Sequence, residues 1–154
     1  MTSLRMAIVI DLQNDAGFAG VPALPDFERW VTAALQDSHA QLEQTICVVD
    51  ETQSRELNHR YRGKDTPTNV LAFPGDNDFL DYDCLGDLVI CAPLVAAEAI
   101  QQGKPVDAHW AHLVVHGMLH LQGLDHQVDA QATRMEALEV EILDTLGYTN
   151  PYNA

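Results

Sequence analysis

Hydrophobic positions along the chain fall into short groups with two different periods. Met6-Ala-Ile-Val-Ile10 is β-branched and runs into a polar Asp-Leu-Gln-Asn-Asp stretch, which predicts a strand. Thr45-Ile-Cys-Val-Val49, Asn69-Val-Leu-Ala-Phe73 and Asp87-Leu-Val-Ile-Cys91 read the same way. Pro67 and Pro74 bracket the third, which makes it short or near a sheet edge, because proline lacks the N–H that a central ladder needs. Elsewhere the period is helical. Phe27, Trp30, Val31, Ala34 and Leu35 recur at helix spacing behind Asp26, a residue able to cap. Thr52 to Tyr61 reads as a helix ended by Gly63, and Pro93 opens another that runs through Gln102 and closes at Gly103. A long helix from about Asp107 to Leu121 breaks at Gly123. The last, Asp129 to Leu146, puts Met135, Leu138, Ile142 and Leu146 on one stripe with Gly147 as its stop. No repeat or linker intervenes, only a polar loop from Pro74 to Gly86. Strands mixed with helices, with helices dominating the second half, predict a two-layer α+β or α/β domain.

Composition narrows the class. At 154 residues the chain is about one domain, expected to span 1–154 and able to bury its own core. A hydrophobic share of 47% and a charged share of 20% exclude a disordered chain. Eight Lys+Arg against 23 Asp+Glu leave a net charge of −15, which argues against a broad nucleic-acid face but not against a small local one. Cys47, Cys84 and Cys91 are odd in number and lack C-x-x-C spacing, so buried reduced thiols are expected. No signal-peptide core and no run of about 18 apolar residues is present, so a soluble, cytoplasmic protein without a membrane partner is expected.

The chemistry concentrates in His116-Gly-Met-Leu-His120-Leu-Gln-Gly123-Leu-Asp125-His126. Residues four apart on a helix share a face, so His116 and His120 can reach one metal ion. Gly123 permits a turn that ends the helix and returns the chain, and His126 can then supply a third imidazole. Three protein ligands leave the open fourth position of a catalytic zinc. Asp125 suits two roles equally, a hydrogen-bond acceptor behind a ligating imidazole or a loop-stabilising Asx residue. His109 and His112 step onto the same face but read as buried or hydrogen-bonded neighbours rather than ligands. The frame departs from the peptidase pattern H-E-x-x-H at one position. Gly117 stands where the Glu general base belongs, so proteolysis drops in rank.

Half of the chain's cations, Arg55, Arg60, Arg62 and Lys64, fall within ten residues around Tyr61. A helix end with its C-terminal dipole accounts for one or two of them. A phosphate contact accounts for the group, since an Arg fork matches phosphate oxygens. Asp76, Asp78, Asp81 and Asp83 lack the spacing of a calcium loop and read as a solvated loop. Asp87 can open its strand structurally or lie near the metal.

Leu57-Asn-His-Arg-Tyr61-Arg-Gly-Lys-Asp-Thr-Pro67-Thr-Asn-Val-Leu71-Ala-Phe-Pro74, Leu85-Gly-Asp-Leu-Val-Ile90 and the histidine segment, in this order, resemble the bacterial YbeY family. The likeness continues through Met135-Glu-Ala-Leu-Glu139 and Leu146-Gly-Tyr148 and spans roughly 45–152. Leu124 departs from it, standing where many relatives have Tyr. The resemblance implies an α+β fold, a small mostly parallel four-stranded sheet packed with about five helices. It also implies a zinc-dependent, single-strand-specific endoribonuclease acting in ribosomal RNA maturation, at the 3′ end of small-subunit 16S RNA, and in ribosome quality control. Its carried-over metal ligands are His116, His120 and His126 and its catalytic arginine is Arg62, while the cation group by itself makes Arg60 and Lys64 expected RNA contacts. Its partners are ribosomal RNA and the small subunit or 70S particles, with no role for DNA; the net charge of −15 adds the expectation that a ribosomal particle or a partner protein presents the RNA. Two rivals stand beside this reading, a ribosome-assembly binding factor with a structural metal and a metal-dependent amide or peptide hydrolase. Ile8 to Asp15 is also similar to the opening of isochorismatase-like cysteine hydrolases, but the later Lys and Cys blocks of that family are missing.

Overall fold

The computed structural model describes residues 7–36, 41–75, 84–124 and 129–152. The β-branched runs form strands β1 (Ala7–Gln13), β2 (Gln41–Val49), β3 (Val70–Pro74) and β4 (Gly86–Cys91), paired in the order β1-β2-β4-β3. β1–β2 and β2–β4 are parallel, and β3 joins β4 antiparallel at the edge, as its flanking prolines require. The sheet is therefore mostly parallel. The register sets Leu12, Ile46, Leu88 and Ala72 in one row across all four strands. Alternation along the strands then gives the sheet two unlike faces.

Helices α1 (Leu24–Ala34), α2 (Glu51–Arg62), α3 (Ala92–Gln102), α4 (Val106–Leu121) and α5 (Asp129–Thr145) complete the α+β fold. On one face α4 is the central element. Trp110, Ala111, Val114, Val115, Met118 and Leu119 are all buried in the main core, which α1 closes with Phe27, Trp30, Val31 and Ala34. The Phe27 ring meets Trp30 and Trp110 edge-on at 5.4 and 5.8 Å, so truncating Trp110 to Ala costs about 3–5 kcal/mol as a large-to-small core change. The other face is smaller. Val49, Leu71, Val89 and Cys91 form a second cluster against Leu57 of α2.

Two glycines make the close approaches possible. At Gly86 a Cβ would sit 2.0 Å from the Phe73 carbonyl oxygen at a φ of +134°, so β3 and β4 can pair there only through glycine. At Gly117 a Cβ would sit 2.6 Å from Leu88 Cδ2 and 3.5 Å from Val70 Cγ2, and Leu88 is itself fully buried. Gly117 thus lets α4 lie directly on β3 and β4. Its position in the histidine frame serves packing as well as marking a missing base.

Some expected details differ. Asp26 does not cap α1: the helix starts three residues earlier because Pro25 in its first positions pre-sets the backbone, and Ala23 holds the cap position. Asp26 lies in the first turn and pairs with Arg29 at 3.4 Å. β1 and β2 run longer than their apolar cores: β1 extends through the exposed Asp11 and Gln13, and β2 starts at Gln41 and carries the fully buried Gln44, whose Nε2 donates to the Gly86 carbonyl at 2.8 Å. Cys91 is buried as expected, whereas Cys47 is only half-buried. Asp87 is exposed and alternates with Leu88, which faces α4, so it belongs to the sheet face away from the histidines. The aspartates 76, 78, 81 and 83, and with them most of the polar loop, lie outside the described residues, as does Met6. No helix among the described residues is long and apolar enough to cross a membrane.

Candidate functional site

α2 is held at both ends. Asp50 and Gln53 form a reciprocal capping box at its start, and Gly63 in the left-handed region, φ 72°, ends it. Buried polar groups then tie the following loop back to the helix. Ser54 Oγ donates to the Thr68 carbonyl at 2.6 Å, and Asn58 Nδ2 donates to the Thr66 carbonyl at 2.8 Å. Arg55 grips Asp65 through two bonds of 2.8 and 3.0 Å, which lowers the Asp65 carboxyl below its ordinary range. The segment carrying Tyr61, Arg62 and Lys64 is therefore a fixed rim.

That rim borders a cleft of about 950 Å³ whose floor is β3 and whose far wall is α4. Arg62 and Lys64 line it on one side, and His112, His116 and His120 on the other. The structure so brings together four of the residues singled out by the sequence: His116, His120, Arg62 and Lys64. Arg60 is exposed and does not line the cleft, because it projects from another side of α2. Arg55 is occupied by Asp65, so the cation group divides into two rim residues and two that serve elsewhere. Asp125 and His126 lie outside the described residues.

Behind the histidines stands a residue that sequence reading did not single out as part of a site. Glu139 of α5 is fully buried, yet its carboxylate accepts from His112 Nε2 at 2.8 Å, His116 Nδ1 at 3.2 Å and Tyr152 Oη at 3.0 Å. Burial alone would push this carboxyl up, but the bonds from His112 and His116 outweigh it and hold it down to about 2. The signal was present in the chain: 135, 139 and 142 step by four and three, which puts a carboxylate on the buried stripe of α5. Tyr152, near the end of the chain, lines the cleft and stands edge-on to the His112 ring at 5.4 Å. Its phenol is pushed up by burial and by the Glu139 charge.

An ionised carboxylate only accepts, so Glu139 decides both tautomers. His116 carries its proton on Nδ1, which leaves the lone pair on Nε2. His112 carries its proton on Nε2, the atom bonded to Glu139, and its Nδ1 is buried without a partner among the described residues. The two neighbouring rings are thus set in opposite senses. His116 has the arrangement of a metal-ligating imidazole backed by a carboxylate, and His112 does not. Two imidazoles four residues apart on one helix, opening on one cleft, suit a divalent ion of zinc type.

The comparisons place this architecture. The family model described as endoribonuclease YbeY matches residues 17–147, reaching further towards the N terminus than the sequence blocks from residue 45. The endoribonuclease YbeY of Pseudomonas entomophila is 54% identical over 145 residues, covering 93% of this chain and 92% of the relative. That of Stutzerimonas stutzeri is 53% identical over 147 residues, 94% of this chain and 91% of the relative. That of Nitrosococcus oceani is 51% identical over 152 residues, 97% of this chain and 99% of the relative. In fold, the chain is similar to the solution structure of TM1509 from Thermotoga maritima, with a TM-score of 0.53 at 23% identity over 96% of this chain and 99% of that one. The N-terminal third matches without a motif of its own because β1 and α1 contribute mainly to the sheet and core. With the family model covering most of its length and more than half of its residues shared with these relatives, the chain belongs to the endoribonuclease YbeY family.

Proposed function

We propose that this protein is a zinc-dependent, single-strand-specific endoribonuclease that acts in ribosomal RNA maturation, at the 3′ end of small-subunit RNA, and in ribosome quality control. The observation that carries this reading is the cleft itself, with His116 and His120 on one wall and the Arg62–Lys64 rim on the other. Membership of a family whose curated relatives are named endoribonucleases supports the reaction class.

In this reading His116, His120 and His126 hold one zinc ion. The chemistry zinc supplies when bound is Lewis acidity, which polarises a phosphodiester oxygen or activates water. Glu139 keeps the His116 lone pair on Nε2 and, through the same carboxylate, withholds Nε2 of His112. Arg62 places its planar fork on the phosphoryl oxygens and stabilises the charge that develops there. Lys64 adds a compact charge at the rim, holding the strand by its backbone. With a net charge of −15, the rest of the surface repels free RNA. A ribosomal particle or a protein partner in the cytoplasm therefore presents the substrate.

The test is cleavage of a small-subunit RNA precursor, free and within ribosomal particles, by wild type, His120→Ala and Arg62→Ala at known metal content. Cleavage that needs zinc, His120 and Arg62 is expected. A 2′,3′-cyclic phosphate product identifies the RNA 2′-hydroxyl as nucleophile, and a 3′-hydroxyl product identifies water. Full metal occupancy without cleavage in any format would overturn the reading in favour of an assembly factor with a structural metal.

A further inference from the structure

A second carboxylate network, half-buried at Glu98, reaches the same cleft from the opposite end of α4. Glu98 of α3 accepts on Oε1 from His109 Nε2 at 2.8 Å and from Asn69 Nδ2 at 3.0 Å. His109 is buried, and burial lowers its basicity, so the neutral ring gives its single N–H to Glu98. Its Nδ1 then lies buried without a partner among the described residues. Asn69 is anchored through its backbone as well, since its carbonyl accepts from Cys91 N–H at 2.9 Å.

This network settles which way the Asn69 amide faces. A carboxylate accepts and cannot donate, so the amide nitrogen must point to Glu98 and the carbonyl oxygen away from it. Asn69 lines the cleft, and its Oδ1 has no partner among the described residues. The rim cations offer only donors, which suits phosphate oxygens. An oriented amide oxygen offers the reverse, and a phosphate oxygen cannot use it. What it fits is a neutral hydroxyl lying beside a phosphate. In a nucleic-acid strand that group is the ribose 2′-hydroxyl, which DNA lacks.

We infer that Asn69 is a specificity residue that accepts a hydrogen bond from one 2′-hydroxyl next to the cleaved phosphate, with Glu98 and His109 as the positioning residues that hold its amide in register. The inference rests on the endoribonuclease reading and deepens it.

The experiment uses the metal-loaded full chain and an RNA oligonucleotide that wild type cleaves at one site. Each nucleotide around that site is replaced in turn by its 2′-deoxy counterpart, and cleavage rates are compared for wild type, Asn69→Ala and Glu98→Gln. In wild type, the deoxy substitution that removes the Asn69 partner slows cleavage roughly 3- to 10-fold, the worth of one neutral hydrogen bond. In Asn69→Ala that one penalty disappears while the others keep their size. In Glu98→Gln it shrinks, because an amide at 98 can bond the Asn69 amide in either orientation. A merely structural role would slow every oligonucleotide equally and leave each penalty unchanged, and that outcome overturns the inference. So does a wild type insensitive to all the deoxy substitutions, or a lost penalty that follows base identity instead. If Asn69→Ala fails to fold, the Glu98→Gln series alone decides. A wild type that cleaves no RNA sinks the endoribonuclease reading and this one with it, whereas cleavage with unchanged penalties sinks this one alone.

Discussion

Nδ1 of His116 lies 3.2 Å from Oε1 of Glu139, a carboxylate that no solvent reaches. Helix α5 thus fixes the proton of a ring on α4, and the lone pair of His116 is aimed before any ligand arrives. Glu139→Gln keeps the shape but admits either orientation of the amide. Zinc affinity, measured by competition with a chromogenic chelator, is expected to fall about 10- to 100-fold, the usual cost of losing such support. Unchanged affinity would reduce Glu139 to a packing role.

Gly117 and Leu88 form a second coupled pair. Gly117→Ala is expected to lower the urea midpoint, since overpacking costs about 1–3 kcal/mol, against a gain of about 1 kcal/mol in helix propensity. Gly117→Glu is expected to be far worse, because its carboxylate would enter the contact between α4 and the sheet. Trimming the neighbour relieves the clash, so the Gly117→Ala penalty shrinks in a Leu88→Val background. Additive effects would contradict the contact.

His109 makes stability depend on pH in a defined direction. Burial holds its folded pKa below the ordinary 6.5, only partly offset by the bond to Glu98. Below 6.5 the unfolded chain therefore binds the proton more readily than the folded one, and stability falls as pH falls. Above 6.5 the ring is neutral in both states and this contribution is constant. His109→Gln is expected to flatten the acid side of a plot of unfolding midpoint against pH, and an unchanged slope there would assign it to other groups.

The rim cations divide by their partners. Arg55 is occupied by Asp65 and acts only as one tie on the rim, so Arg55→Gln is expected to lower RNA cleavage far less than Arg62→Ala. Arg62→Ala is expected to lower kcat about 10²- to 10³-fold if it stabilises the transition state. Lys64→Ala is expected to weaken binding on all sequences alike and to reduce the salt slope by about 1. Rate and salt-titration measurements on the three variants separate these roles.

How much of this was legible in the chain follows from range. Hydrophobic period and local stop residues are short-range properties, and they located all nine elements found among the described residues, with Gly63, Gly103 and Gly147 as helix stops. Even the edge position of β3 could be read from Pro67 and Pro74. The start of α1 was missed because Asp26 and Pro25 are both good opening residues, and only the folded backbone chooses between them. The His116–His120 pair was legible because a helix turns spacing into geometry. Glu139 was harder, since its partners lie 23 and 27 residues away.

By itself, then, the sequence determined the elements, the pairing of two imidazoles on one helical face and the gathering of cations around Tyr61. Tertiary structure decided which cations face the histidines, which nitrogen of His112 and of His116 keeps its proton, and that the Asn69 amide gives its nitrogen to Glu98. The reason is physical. Local patterns follow from the backbone's own periodicity, whereas a tautomer or an amide orientation is set by a hydrogen-bond partner brought there from a distant part of the chain.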